Sequence, residues 1–141
     1  MGEVLHLFVA VVHRQPMREL EEVKVEANRG FVGCIHGRPG GRRQVLVMDV
    51  ETLGRLGLPS GIVKENITTR GLALGELQSG QRLRVGEVLL EVTVPCEPCQ
   101  RMEEIRQGLR QELRGRRGIL CRVVEAGRIR RGDTIEVHTG E

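Results

Sequence analysis

The residues best suited to chemistry lie in 95–102 (PCEPCQRM), where Cys96 and Cys99 stand three positions apart, each directly after a proline. The segment follows alternating apolar residues typical of a strand and precedes an amphipathic pattern typical of a helix. Pro98 suits the first position of that helix, so Cys99 would lie in its first turn, where backbone N–H groups and the helix dipole favour a thiolate. We therefore predict that Cys99 is a nucleophile, a metal ligand or a persulfide carrier at the rim of the fold.

Three other uses of these thiols are compatible with the sequence. Both can fill space as small, half-buried apolar side chains. They can form a dithiol redox pair, although the strand–helix–strand context of thioredoxin-type proteins is missing. With Cys34 and His36 they can also complete a structural zinc site, although this spacing matches no zinc pattern closely. The fourth cysteine, Cys121, lies in an apolar stretch and is predicted to belong to the core.

A glycine-rich stretch at 29–42 predicts a long loop that binds an anion. Its glycines allow backbone N–H groups to approach a ligand closely. Arg38, Arg42 and Arg43 cluster near its end, and a guanidinium group matches phosphate and carboxylate groups in shape and charge. His36 lies next to this cluster. The alternative is a solvated loop without a ligand.

A second polar block covers 65–72 (ENITTRGL). Asn66 and Thr68 carry groups that can hydrogen-bond the polar edge of a ligand, and Arg70 can meet an anion. The alternative is a turn that only connects two strands.

Short strands are predicted to position these groups. Apolar or alternating residues predict strands at about 4–12, 22–27, 44–48, 119–125 and 134–137. They also predict a hairpin over 82–94 that turns at Gly86. Strands greatly outnumber helices and do not alternate with them. The pattern therefore favours a mainly β fold, a closed or partly closed antiparallel β-barrel with a few short helices, in a single domain over 1–141.

Two helices are predicted, over about 49–56 and 98–114. The first has Asp49 as a capping residue and Gly57 just after its end. Gly108 is expected to weaken the second helix and leaves its division into two open. The second carries apolar residues at helical spacing, namely Met102, Ile105, Leu109 and Leu113.

Composition narrows the range of partners. Of the 22 basic residues only two are lysines, so 20 are arginines, yet 19 acids leave a net charge of only +3. That balance is weak for a nucleic-acid clamp, and a chain with two Phe and no Trp or Tyr has little to stack on bases. No apolar run approaches the roughly 18 residues that cross a bilayer, and the first residues do not have the pattern of a signal peptide. We therefore expect a cytoplasmic protein without a membrane partner.

Three blocks of the sequence together carry a resemblance to a known family: 42–45 (RRQV), 65–68 (ENIT) and 98–102 (PCQRM). They resemble the MOSC domain, a family named for the C-terminal domain of molybdenum cofactor sulfurase. A strand at 118–123 and a closing hairpin through 127–133 agree with it. The resemblance covers roughly 17–138 and looks like the small stand-alone bacterial type.

The resemblance implies a β-barrel that binds a pterin-type molybdenum cofactor or handles sulfur for it. It places the family's reactive cysteine at Cys99, which would carry a persulfide or ligate molybdenum. The implied partners are a cysteine desulfurase or a molybdoenzyme, and the activity would be that of a sulfurtransferase or a molybdenum-cofactor-dependent oxidoreductase. The candidate cofactor-binding residues are His36, Arg43, Gln44, Glu65, Asn66, Thr68, Arg70 and Arg101. In this hypothesis Arg43 and Arg70 hold the cofactor's phosphate, while Gln44 and Asn66 contact the pterin edge.

One departure from the family pattern concerns the first loop. Family members commonly have Gly-Asp-x-His there, whereas this chain has Gly33-Cys34-Ile35-His36, so a thiol replaces a carboxylate. Two other functions stay open. One is a structural zinc-binding barrel that uses Cys34, His36, Cys96 and Cys99. The other is a non-catalytic module that binds a nucleic acid or a protein through its arginines.

Overall fold

In the computed structural model, which describes residues 2–37 and 39–138, the chain forms eleven strands and three short helices. The strands are β1 (Gly2–Val9), β2 (Arg18–Leu20), β3 (Glu22–Glu26), β4 (Gly30–Phe31), β5 (Val45–Asp49), β6 (Ile67–Arg70), β7 (Arg82–Val85), β8 (Val88–Pro95), β9 (Ile119–Glu125), β10 (Gly127–Arg130) and β11 (Thr134–His138). The helices are α1 (Val50–Arg55), α2 (Met102–Ile105) and α3 (Leu109–Glu112), and a 3₁₀ turn covers Leu74–Glu76.

Seven of these strands close into a barrel, which confirms the predicted fold class. Around the ring the order is β1, β6, β5, β9, β8, β7 and β11, and β11 then pairs with β1. A separate small sheet has the order β10, β3, β4. Side chains at alternating positions of the ring strands fill the barrel interior with aliphatic residues.

One pair in the ring departs from the predicted antiparallel pattern, because β5 and β6 run parallel. The other neighbouring strands of the ring are antiparallel. The segment between β5 and β6 contains α1, and a crossover of this kind brings the second strand back in the same direction.

Helix α1 forms where it was predicted. The Asp49 carboxylate caps it, accepting hydrogen bonds from the backbone N and side-chain Oγ1 of Thr52 at 3.0 and 2.7 Å.

The helix predicted over 98–114 forms as two separate helical turns, which is the division that Gly108 had left open. The first begins at Met102, and its end is followed by Arg106 in an extended conformation and Gly108 at φ +86°. The Glu103 carboxylate accepts hydrogen bonds from Gly108 N and Arg110 N, both at 2.9 Å. This side chain thus satisfies two N–H groups at the start of α3, which stabilises the break.

The closing hairpin expected through 127–133 does not form, because β10 and β11 do not pair with each other. Strand β10 pairs with β3 in the small sheet, whereas β11 pairs with β7 and β1 in the barrel. The turn therefore passes the chain from one sheet to the other. Within residues 2–37 and 39–138, no helix is long and apolar enough to cross a membrane.

Strand β5 is buried on both of its faces, and this determines where a site can form. Val45 and Val47 face the barrel interior. Leu46 packs on the opposite side with Cys96 and Leu120. The outward face of this wall is covered by the helical segment and by the chain that leads into β6, which together create a second, smaller apolar cluster.

Candidate functional site

A cavity of about 460 Å³ lies against the outward face of β5 and β9. Its wall includes Leu46 and Leu120, which are paired across these two strands. Residues from the β1–β2 loop, the glycine-rich loop, the chain before β6 and the segment before α2 surround it. Six of the predicted site residues line this one cavity: His36, Arg43, Gln44, Asn66, Cys99 and Arg101.

The lining of the cavity is strongly cationic. Among the described residues, its lining holds one carboxylate, that of Glu104, and five basic side chains: Arg14, Arg43, Lys64, Arg101 and Arg117. In the part of the chain that the structure describes, no ion pair involves Arg14, Arg43 or Arg101. The cavity therefore offers an anionic ligand several charges that no described carboxylate neutralises through an ion pair.

Cys99 is exposed at this cavity and precedes α2. Its carbonyl oxygen accepts a hydrogen bond from Met102 N at 3.0 Å, in a turn that comes before the first helical residue. The prediction that Pro98 opens the helix and places Cys99 in its first turn is therefore wrong. Arg101, which lines the same cavity, supplies the local positive charge instead.

Arg117 is the buried cation of the cavity, with a relative exposure of 7%. Its guanidinium donates a hydrogen bond to Val63 O at 2.9 Å and contacts Met102 Sδ at 3.3 Å. It also donates to Cys96 Sγ. Because a guanidinium stays charged in a protein, a buried one requires partners of this kind.

Asn66 and Gln44 line the cavity, but their amide groups are engaged within the protein. Asn66 Oδ1 accepts from Leu46 N at 3.0 Å, and its Nδ2 donates to Phe8 O at 3.2 Å and to Cys34 Sγ at 3.5 Å. Gln44 likewise connects the glycine-rich loop to β9: its Nε2 donates to Asn28 Oδ1 and Gly41 O, and its Oε1 accepts from Val123 N. Both side chains thus hold neighbouring segments together.

Glu65 and Thr68 lie behind the cavity rather than in its lining. The Glu65 carboxylate accepts hydrogen bonds from Thr68 Oγ1 at 2.7 Å and from Gly61 N at 2.8 Å, and its other oxygen is buried without a partner among the described residues. Burial raises the pKa of Glu65 above 4.5, against the opposing effects of these hydrogen bonds and of Arg117. Glu65 thus stabilises the chain that enters β6, and it lies within electrostatic reach of Arg117.

Arg70 is not brought to the cavity. It forms an ion pair with Glu3 at 2.6 Å across β6 and β1. Of the arginines near the glycine-rich loop, Arg43 lines the cavity, whereas Arg42 does not and Arg38 lies outside the described residues. The backbone N–H groups of Gly37 and Gly40 donate to carbonyl oxygens of the protein, so these two are not available to cradle an anion.

The zinc site left open by the sequence is not assembled. Among residues 2–37 and 39–138, no three His, Cys, Asp or Glu side chains are grouped so that they could hold a metal ion. Cys34 instead accepts hydrogen bonds from Ala10 N at 3.4 Å and from Asn66. The prediction that Cys121 belongs to the core is confirmed: it is fully buried, and burial raises the pKa of its thiol to about 12.

Sequence reasoning missed three of the five cations. Lys64 carried a weak signal, since it is one of only two lysines and immediately precedes the 65–72 block. Arg14 lies in the β1–β2 loop. Arg117 is the last residue of an arginine-rich stretch whose composition is typical of a solvated surface. Neither has a local pattern that distinguishes it from the other arginines.

Comparison with known proteins identifies a matching family model and solved structures of similar fold. A family model for the MOSC domain matches residues 35–136. No curated protein sequence matches the chain. Among solved structures, the YuaD protein from Bacillus subtilis superposes with a TM-score of 0.84 at 21% identity, covering 100% of this chain and 98% of that one.

YiiM from Escherichia coli superposes with a TM-score of 0.77 at 18% identity, covering 99% of this chain and 70% of its own. YiiM from Geobacillus stearothermophilus gives 0.75 at 19% identity, covering 98% and 75%. At these identities the superpositions demonstrate a shared fold.

Proposed function

Because the chain belongs to the MOSC domain family, a family associated with the molybdenum cofactor, we propose that it carries sulfur for this cofactor, or binds the cofactor, through Cys99. The observation that supports this proposal most directly is that one exposed thiol lines the same cavity as several cations that have no ion pair among the described residues. The thiol suits sulfur chemistry or a soft metal, and the cations suit a phosphate group.

The lining of the cavity agrees with a phosphorylated pterin. Its volume of about 460 Å³ falls within the roughly 300–1,000 Å³ typical of small-molecule sites. Arg43 and Arg101 would hold the phosphate, with Lys64 and Arg14 adding positive charge. Gln44 and Asn66 would shape the wall that supports the ring system, since their amides are engaged with the main chain. When bound, the cofactor would supply redox chemistry at molybdenum.

As a sulfur carrier, Cys99 would receive a sulfur atom from a protein donor of the cysteine desulfurase type. Its exposure allows a donor to reach it, whereas Cys96 and Cys121 are buried. The Cys99 thiolate would attack the terminal sulfur of the donor's persulfide, and Arg101 lines the same cavity. The S–S bond of the donor's persulfide breaks, the donor's cysteine leaves as a thiolate, and Cys99 holds the transferred sulfane sulfur as a persulfide.

The carrier function can be tested with a purified cysteine desulfurase and L-cysteine. Mass spectrometry of the protein should find one added sulfur atom that a thiol reductant removes. Cys99→Ser should abolish the addition, and Cys34→Ser, a control at a thiol outside the cavity lining, should retain it. If Cys99→Ser acquires sulfane sulfur as readily as the wild type, the carrier function is refuted.

Cofactor binding needs a separate measurement. Protein purified from a host that makes the molybdenum cofactor should release a fluorescent pterin after oxidation. The double substitution Arg43→Gln and Arg101→Gln should lower the fluorescence by about tenfold or more, because two charge-assisted contacts are lost. Arg70→Gln is the matched control, since Arg70 is an exposed arginine outside the cavity. Equal losses in the two proteins would contradict the proposed site.

A further inference from the structure

The cavity is lined by two thiols whose environments differ sharply. Cys99 is exposed, whereas Cys96 is 3% exposed and packs with Leu46 and Leu120. Both side chains nevertheless line the same cavity. A protein donor can therefore reach only the outer thiol, while a ligand inside the cavity lies beside the inner one.

Arg117 provides the inner thiol, Cys96, with a charged hydrogen-bond donor, which a cysteine that only fills space does not need. Its guanidinium is fixed from three sides: it donates to Val63 O at 2.9 Å, contacts Met102 Sδ at 3.3 Å and donates to Cys96 Sγ. A permanently charged donor forms a stronger hydrogen bond with a negatively charged acceptor than with a neutral one. The contact is thus suited to a sulfur atom that carries negative charge during a reaction.

A second titratable group near Arg117 is the carboxyl group of Glu65. Glu65 lies within electrostatic reach, but burial raises the pKa of its carboxyl and so favours the neutral form. Its hydrogen bonds go to Gly61 and Thr68 rather than to the guanidinium. Of these two titratable groups, Cys96 is therefore the one that contacts the guanidinium directly.

We propose that Cys96 is the inner acceptor of a two-thiol relay, which takes the sulfur loaded on Cys99 and holds it beside Arg117 inside the cavity. This inference rests on the proposed carrier function of Cys99 and adds a second reacting residue to it. The two residues are separated by Glu97 and Pro98 only, so their Cα atoms lie within about 11 Å of each other in any conformation. The transfer requires this short loop to bring the two sulfur atoms into contact.

The transfer needs no outside oxidant or reductant. The Cys96 thiolate attacks the terminal sulfur of the Cys99 persulfide. A bond forms between Cys96 Sγ and that sulfur, the bond between Cys99 Sγ and the same sulfur breaks, and Cys99 leaves as a thiolate. The proton stays on the transferred sulfur, so the charge is the same before and after the step. Arg117 stabilises the negative charge at Cys96 before the attack and acts as a positioning residue.

The competing reaction has a different product. If Cys96 attacked the inner sulfur of the persulfide, a Cys96–Cys99 disulfide would form and hydrosulfide would leave. In that case Cys96 would resolve the persulfide rather than accept its sulfur. The two reactions are distinguished by the sulfur content of the peptide that carries both cysteines.

The experiment is a time course with a cysteine desulfurase and L-cysteine that contains heavy sulfur. Samples are alkylated and digested with trypsin, which releases both cysteines in the peptide 85–101. Fragmentation at the Glu97–Pro98 bond then separates Cys96 from Cys99. The label should appear first on Cys99 and then on Cys96, and Cys96→Ser should retain it on Cys99.

Arg117→Met should slow the transfer from Cys99 to Cys96 by about tenfold or more, because a charge-assisted hydrogen bond to the attacking thiolate is lost. Loading of Cys99 should be unchanged, a result that general unfolding would not produce. Cys34→Ser is the control and should leave both labels in place. If Arg117→Met fails to fold, the wild type and Cys96→Ser still decide the question.

The outcomes separate the relay from the function on which it rests. No label on Cys99 of the wild type would refute the carrier function. Label on Cys99 that never reaches Cys96, or a Cys96–Cys99 disulfide without heavy sulfur, would refute the relay and leave the carrier function standing.

Discussion

Replacing Asn66 by alanine should destabilise the barrel strongly, although Asn66 lies at the edge of a ligand cavity. The main chain of Asn66 already joins β1 and β5: its N–H donates to Leu46 O, and its carbonyl accepts from Phe8 N, both at 2.8 Å. The side chain repeats the connection, since Oδ1 accepts from Leu46 N at 3.0 Å and Nδ2 donates to Phe8 O at 3.2 Å. Asn66→Ala removes the second pair and leaves the first.

The size of the effect follows from two buried backbone groups that lose their partners. Leu46 and Phe8 are 7% and 6% exposed, so water reaches their polar atoms poorly. Each unsatisfied group costs about 1–3 kcal/mol, which gives about 2–6 kcal/mol for Asn66→Ala. Since small domains are stable by about 5–15 kcal/mol, the free energy of unfolding should fall by a large fraction.

The measurement is urea unfolding followed by circular dichroism, with Gln107→Ala as the control for loss of an exposed amide. The midpoint of Asn66→Ala should drop while the dependence on urea stays the same, because the same surface is exposed on unfolding. A loss below about 1 kcal/mol would refute the reasoning. It would mean that water entering from the cavity satisfies Leu46 N and Phe8 O.

Two further predictions concern buried polar groups in β6 and just before it. The Thr69 hydroxyl is fully buried without a hydrogen-bond partner in the described part of the chain, so Thr69→Val should raise the free energy of unfolding by about 1 kcal/mol in urea titrations; a loss would contradict this. Burial raises the pKa of Glu65 above 4.5, so the stability that this group contributes is full below that pH and is lost as the pH rises through the higher folded-state value. Glu65→Gln should remove this decline from a series of unfolding titrations over pH, and an unchanged pH dependence would show that another group causes it.

Local signals in the sequence were enough to predict α1. Asp49 caps the helix, and Gly57, at φ +69°, follows its end. Both signals act within a few residues, so tertiary contacts are not needed to interpret them. The alternating strands were predictable for the same reason, as in β3, where Val23 and Val25 are buried between exposed neighbours.

The segment after β8 shows where local periodicity fails. Met102, Leu109 and Leu113 are all buried in one apolar cluster, as their spacing predicted. Their burial does not require a continuous helix, because Gly108 and the side chain of Glu103 allow the chain to turn between them. The apolar pattern thus predicts which residues face the core and not the path of the backbone between them.

The candidate site was predictable through its cysteine and its loop but not through all of its charges. The partners of Arg117 lie up to 54 positions away, and Arg70 is held by Glu3 from 67 positions away. An arginine can serve as a ligand, a buried structural cation or a surface ion pair. Only the tertiary fold decides among these roles. The sequence indicated a ligand role for Arg70 and a solvated surface for Arg117, whereas the fold pairs Arg70 with Glu3 and buries Arg117 at the cavity.

The short seam between β1 and β11 has a consequence for how the barrel assembles. Among the described residues, two residue pairs join these strands, Gly2 with Ile135 and Glu3 with Thr134, across more than 130 positions of sequence. Contacts between such distant segments form late, because a long loop must be closed before they are gained. During synthesis the ring therefore stays open until β11 leaves the ribosome. Until then β7 and the start of β1 are free edges at which two nascent chains can pair with each other.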